Sequence, residues 1–196
     1  MSWTSTLRSL GGALGVLQPY VAPVGEQLGL AVFREAKRAA TLANLHRRPR
    51  PLRPSTVARL QPLFADLDLT TVRVRTRCRL PANRFRGSGS IYAMTFGTTI
   101  FFRDELDEDA PRDVVHLLHE LVHVDQARRL GGERSFACAY GEGYLDGGGA
   151  LPSYMDEVTA YHRNPLEAEA YAFEARFRDA RGRIVAALLP RVTPRP

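Results

Sequence analysis

Residues 112–130 constrain this chain more than any other stretch. Val114, Val115, Leu117, Leu118, Leu121, Val122 and Val124 recur so densely that a helix built from them is apolar around much of its girth. Such a helix belongs at the centre of a domain. Both of its ends are marked. Asp107, Glu108 and Asp109 ahead of Ala110-Pro111 offer an N-cap, a proline in the first turn and negative charge at the positive end of the helix dipole. Arg128 and Arg129 fall in the last turn, and Gly131-Gly132 can supply the left-handed residue that stops it.

Within this helix the sequence reads His119-Glu120-Leu121-Val122-His123, an HExxH motif. Residues four apart share a helical face, so His119 and His123 can direct two imidazoles at one Zn²⁺ ion, and Glu120 lies beside them as a general base. This pattern points to zinc-dependent hydrolase chemistry. The competing interpretation is a core helix whose histidines only hydrogen-bond to neighbours. His116, three residues before His119, lies near the same face and fits a packed or supporting histidine.

Composition narrows the surroundings. The chain has 196 residues, 44% hydrophobic and 24% charged, which is ordinary for one well-cored domain. The net charge of +6 is unevenly spread: residues 1–60 hold nine Lys or Arg against two Glu, a net +7, leaving −1 for the rest. Arg47-Arg48-Pro49-Arg50-Pro51-Leu52-Arg53-Pro54 concentrates that charge in an extended, proline-rich stretch. A short solvated linker accounts for it, and nucleic-acid binding is not predicted from it. The expected division is therefore residues 1–50 as a basic helical appendage and linker, and residues 51–196 as the catalytic domain that carries the HExxH helix. Met1 to Gln18 makes a poor signal peptide and no stretch is long enough to span a membrane, so cytoplasmic and exported locations both stay open. Cys78 and Cys138 lack CxxC spacing and leave pairing open.

Local patterns predict the other elements. Leu28, Val32, Ala36, Ala39 and Leu42 form the apolar face of a helix over 28–45, able to dock on its own domain, a membrane surface or a partner. A short helix opens at Pro54-Ser55-Thr56 with Ser55 as its cap. Thr71 to Cys78 alternates as a half-solvated strand, with Arg73, Arg75 and Arg77 on the wet side. Ser90–Phe96 and Thr98–Phe102 form two strands joined tightly at Gly97, the second of them near the metal, with an edge able to align an extended peptide. Over residues 135–163, Phe136 to Tyr140 are compatible with a helix, but Gly141, Gly143 and Gly147-Gly148-Gly149 favour an irregular or mobile loop. A long helix starts at Asn164-Pro165 and runs to about Leu188.

A catalytic zinc needs a third protein ligand and an open position. Gln126 and Arg129 stand where a metzincin would have glycine and histidine, which excludes that subclass. Glu167 and Glu169 both flank the core stripe of the last helix, so periodicity does not separate them, and Asn164 with Glu167 also has the spacing of a capping box that needs no metal. The stretch Asn164-Pro165-Leu166-Glu167-Ala168-Glu169-Ala170-Tyr171-Ala172-Phe173 resembles the second motif of gluzincins, the thermolysin-like class, and that resemblance selects Glu167. Together with the strand pair and His119-Glu120-Leu121-Val122-His123-Val124-Asp125-Gln126, it resembles a family of small HELxHxxQ zinc metallopeptidase-like domains. These are found in bacterial proteins linked to extracellular contractile injection systems and toxin-like cargo, and the likeness spans roughly Pro51 to Arg178.

The resemblance implies a compact gluzincin-like α+β fold: a small antiparallel sheet packed on a central HExxH helix, followed by a C-terminal Glu-bearing helix. It further implies one Zn²⁺ held by His119, His123 and Glu167, peptide or protein substrates, Glu120 as the general base, and Gln126 in support. Tyr154, Tyr161, His162 and Tyr171 are candidates to steady an oxyanion by their position near the second motif. The alternative function is a non-catalytic, zinc-stabilised docking module. A basic N-terminal helix and the lack of a large toxin region depart from the family pattern.

Overall fold

The computed structural model describes residues 27, 29–80, 91–146 and 163–190. In chain order the elements are α1 (residues 29–43), β1 (Arg50–Pro51), α2 (Pro54–Leu60), β2 (Arg73–Arg75), β3 (Ala93–Phe96), β4 (Thr99–Phe102), α3 (Pro111–Arg129), α4 (Glu133–Asp146) and α5 (Pro165–Ala175). Short 3-10 turns lie at Gln61–Leu63, Leu69–Thr71 and Ala186–Leu188.

The fold is α+β, with the His-bearing α3 packed along the Glu-bearing α5. Its sheet has the order β1-β2-β4-β3. The hairpin β3–β4 turns at Gly97, whose φ of 60° lies in the left-handed region that glycine adopts without cost. The sheet is mixed rather than purely antiparallel, because β2 pairs in parallel with β4 (Val74 opposite Ile100). A parallel pair needs a long crossover, and the segment between β2 and β3 provides it. It also makes β4 interior and β3 the outer strand, so the strand against the motif helix is β3, not the second of the hairpin.

Alternation along β4 divides the core. Ile100 and Phe102 join Val72, Val74, Leu60 and Leu69 around Val114, Leu117, Leu118 and Leu121 of α3, all fully buried. Phe101 turns the other way and meets Phe96, Cys78 and Ala40, with Phe33 of α1 packed against them. Both faces of the sheet are therefore covered. At about 1.5–3 kcal/mol for each fully buried Leu, Ile or Phe, the α3 cluster is the main source of cohesion.

The start of α3 differs from its expected cap. Ala110 occupies the N-cap with no side-chain bond, Pro111 is the first helical residue, and Asp113 accepts from Asp107 N–H at 2.9 Å. Glu108 is instead fully buried, where it pairs with Arg50 and accepts from Arg53 N–H at 2.9 Å, tying β1 and α2 to α3. Burial alone would raise the Glu108 carboxyl, but Arg50 and the Arg53 N–H outweigh it and hold it below the usual range. The other end is as read: Gly132 N–H reaches Ala127 O at 2.7 Å and Gly131 N–H reaches Arg128 O at 3.1 Å, the paired bonds of a Schellman stop.

Four further expectations are corrected. The cap of α2 is Arg53, with Pro54 as its first residue, not Ser55. Gly141 and Gly143 lie inside α4 rather than in a loop: a Cβ on Gly29 would sit 2.6 Å from Gly141 Cα, and one on Gly143 would sit 2.8 Å from Asn164 Oδ1. They serve close helix contacts; Gly147-Gly148-Gly149 lie outside the described residues. The last helix ends at Ala175, not Leu188, because Asp179 accepts from Arg181 and Arg183 N–H and Gly182 turns at φ 74°. The fourth concerns α1. It buries Leu30 and Ala40 against the domain, with Phe33 5.1 Å from Phe96 and Ala36 of the expected apolar stripe packed on the same cluster, while Val32, Ala39 and Leu42 of that stripe face outward. Leu28 lies outside the described residues.

Candidate metal centre

The site forms where three helices meet. Each of them is placed by features already described: α3 by its apolar girth, α4 by the Gly131-Gly132 stop that reverses the chain, and α5 by Asn164, whose side chain accepts from Leu166 N–H at 3.0 Å. His119 and His123 lie one turn apart on α3, and Glu167 projects from the first turn of α5. The Nε2 atoms of the two histidines are 3.3 Å apart. Glu167 Oε2 lies 3.4 Å from His119 Nε2, and Oε1 lies 3.5 Å from His123 Nε2. Exposures of 7%, 5% and 2% leave these three groups almost no water to satisfy them.

Two observations test whether a metal fits. Glu167 Oε2 is buried with no hydrogen-bond partner, an expensive state for a carboxylate oxygen unless something else takes its lone pairs. A tetrahedral ion with bonds of about 2.0–2.1 Å holds its ligands roughly 3.3–3.4 Å apart, close to the separations found. Buried His119, His123 and Glu167 could thus hold a metal ion, with their donor atoms all within 4.8 Å of one another. Glu169 is excluded from the cluster. It is half exposed, pairs with Arg129 and accepts from Gln126 Nε2 at 3.0 Å.

Polar groups stand behind each donor, with hydrogen bonds to His123 and Glu167 and a carboxylate close to His119, whose Nδ1 makes no hydrogen bond. His119 Nδ1 is 3.3 Å from Glu174 Oε2, His123 Nδ1 is 2.8 Å from Gln126 Oε1, and the Tyr140 hydroxyl donates to Glu167 Oε1 at 2.7 Å. Such contacts set ring orientation and tautomer at metal sites. Gln126 also donates to Leu166 O at 2.9 Å, so one side chain ties a histidine of α3 to the start of α5. Burial by itself would lower the His119 pKa, but Glu167 and Glu174 outweigh it and raise it to about 10. His123 is raised likewise against its burial, chiefly by Glu167. Glu167 is pulled well below the ordinary carboxylate range by the two histidines despite burial. The Tyr140 phenol is pushed far up by burial and by the neighbouring carboxylate, which keeps its proton in place. The pocket is thus built around positive charge, whether protons or a metal ion supply it.

Glu120 is buried next to the histidines and accepts from Thr95 Oγ1 of β3 at 2.6 Å. His116 stacks on Tyr92 at 4.1 Å, and burial lowers its pKa, as suits a packed neutral imidazole. Asp125 turns away from the site to Arg128 and Arg129. The Tyr171 ring lies 4.8 Å from that of His119, while Tyr154, Tyr161 and His162 lie outside the described residues. Cys78 and Cys138 are both free thiols.

Three contributors escape a sequence reading. Glu174 follows Glu167 by two helical turns and so shares its face, a periodicity that could have identified it. Tyr140 had no such signal, because the glycines around it mimic a loop. Thr95 becomes visible only once β3 is known to be the outer strand.

Residues 51–131 match the family model of the eCIS core domain. The match is shorter than the span expected from motif order: it takes in the sheet and α3, with His119, Glu120 and His123, and stops before α4 and α5, so Glu167 lies outside it. No curated protein and no solved structure matches the chain.

Proposed function

We propose that this chain is a zinc-dependent metallopeptidase, with His119, His123 and Glu167 holding the ion and Glu120 acting as general base. The observation that carries the reading is the buried His-His-Glu group with Glu120 held beside it by Thr95. When bound, zinc supplies Lewis acidity for amide hydrolysis. Glu120 takes a proton from the attacking water and delivers it to the leaving amine. Thr95 donates to one oxygen of the carboxylate, which orients the other. Gln126 holds the His123 imidazole so that its Nε2 lone pair points at the shared centre, and the Glu174 carboxylate lies 3.3 Å from His119 Nδ1 on the far side of that ring. Tyr140 binds Oε1 of Glu167 and leaves Oε2 free to coordinate.

The test has two parts. Zinc per chain is measured in the parent, Glu167→Ala and Glu169→Ala; about one ion in the parent, lost only with Glu167, supports the ligand set. Hydrolysis of an unfolded protein is then compared with Glu120→Gln, which should retain zinc while its rate falls by about 10²–10⁴. A parent that takes up no zinc sinks the proposal. The burial of the three donors favours a second reading, a non-catalytic zinc-stabilised docking module. Full zinc content with no hydrolysis of any peptide would select it.

A further inference from the structure

Helix α1 turns the wrong face outward. Its buried side is Leu30, Phe33 and Ala40, yet its outward side holds Val32 and Leu42 at 60% and 56% exposure, with Leu45 in the turn just past its end at 67%. A helix packed on a sheet normally gives polar residues to water. Here the solvent side carries large apolar groups, with Arg34 and Arg38 between them and Glu35 as the acid among them.

The end of α1 is joined to a second source of positive charge. Asn44 donates to Arg79 O at 2.8 Å and accepts from Arg79 N–H at 2.7 Å, while Arg75 Nη1 donates to Asn44 O and Arg47 O, each at 3.0 Å. The pairing of β1 with β2 sets Arg50 opposite Val74. Two acid-free stretches, 44–53 and 73–79, thereby come together with eight arginines between them. Some are occupied: Arg50 pairs with Glu108, Arg53 with Asp109, and Arg77 with Glu105. Arg73 donates to Thr70 O and Val72 O. Arg34, Arg48 and Arg79 are exposed and make no ion pair among the described residues. The acids facing this region are Glu35, Glu105 and Glu133, paired with Arg38, Arg77 and Lys37.

We propose that the outward face of α1, together with Arg48 and Arg79 at its end, is a peripheral docking surface for a bilayer containing anionic lipid. Exposed leucines flanked by unpaired arginines suit the headgroup–acyl boundary, where apolar side chains insert and cations meet phosphate and carboxylate. A single-stranded nucleic acid would want aromatic stacking platforms. Among the described residues no Phe, Tyr or Trp is exposed here, and the only exposed aromatic ring is that of His46: Phe101 lies under Arg75 and is buried. Among the described residues no helix is long and apolar enough to cross a membrane, and the proposed contact is a peripheral one. The face lies on the opposite side of the sheet from α3, which leaves the metal centre free while the chain is docked.

The experiment is co-sedimentation of the full chain with phosphatidylcholine vesicles, with and without about 30 mol% phosphatidylserine. Binding should need the anionic lipid and fall at about 1 M salt, where charge is screened within about 3 Å. Arg48→Glu with Arg79→Glu should weaken it about tenfold or more. Leu42→Ser with Leu45→Ser should weaken it while the salt dependence stays. All four positions are exposed, and an unchanged thermal melt confirms that each variant folds. Equal binding to neutral vesicles, no binding, or indifference to either pair overturns the proposal. So does a dimer lost in the leucine variant, which gives the face to a second copy, or salt-sensitive capture of a poly-U strand without vesicle binding, which gives it to nucleic acid.

Discussion

Helices α1 and α3 make an instructive pair. Both carry apolar residues at helical spacing, and both lie against the same sheet. In α3 those residues enter the core, and the polar groups left over converge on one centre. In α1 the large residues of the spaced apolar set, Val32 and Leu42, face out, and the contact with the sheet is made mainly by Phe33 and Ala40. Apolar periodicity says that a face is suited to cover; it does not say what covers it. At α3 the sheet, α2 and α5 supply the cover, whereas at α1 the sheet covers the other side.

The contrast can be broken by substitution. The largest effect should come from Glu167→Ala, which leaves two donors and should strip metal from the purified chain, as read by zinc content; full retention would place the ion elsewhere. Next, Leu118→Ala at the centre of α3 should cost about 2–5 kcal/mol in urea unfolding, since the side chain is fully buried. Gln126→Ala removes the bond to His123 and should weaken zinc affinity about 10–100-fold by competition with a chelator. At the other extreme, Leu42→Ala on the outer face of α1 should stay within about 0.5 kcal/mol of the parent. A value like that of Leu118→Ala would erase the distinction.

A pH series sharpens the same contrast at the metal centre. The folded-state pKa of His119 is raised from 6.5 to about 10. Its contribution to the stability of metal-free protein is therefore complete below 6.5 and is lost as the pH climbs through about 10. Zinc needs the neutral ring, so apparent zinc affinity should rise over the same window and loading should release protons. Melting curves of metal-free protein that stay flat between these values would contradict the coupling.

What could be read beforehand follows the range of the interactions. The Schellman stop at Gly131-Gly132, the Gly97 hairpin and the start of α5 at Asn164 depend on neighbours a few residues away, and their residue types announce them. Glu167 was distinguishable from Glu169 only by resemblance, since both flank the same stripe. Gly141 and Gly143 misled because their reason lies in Gly29 and Asn164, one far upstream and the other across an intervening segment. The parallel pairing of β2 with β4 and the choice of face on α1 are likewise settled between distant parts of the chain.

Gln126 has a consequence for timing. Its amide contacts His123, Leu166 O and Glu169 together, so it meets its full set of partners only when α5 is docked in the correct register. A chain emerging from the ribosome as far as α4 presents both histidines and Glu120 but lacks the third donor and the carboxylate behind His119. It is half a trap, with little hold on an ion. The complete one appears only after Glu174 has been synthesised and α5 has folded back, so the candidate metal centre is withheld until the helices on both sides of it are in place.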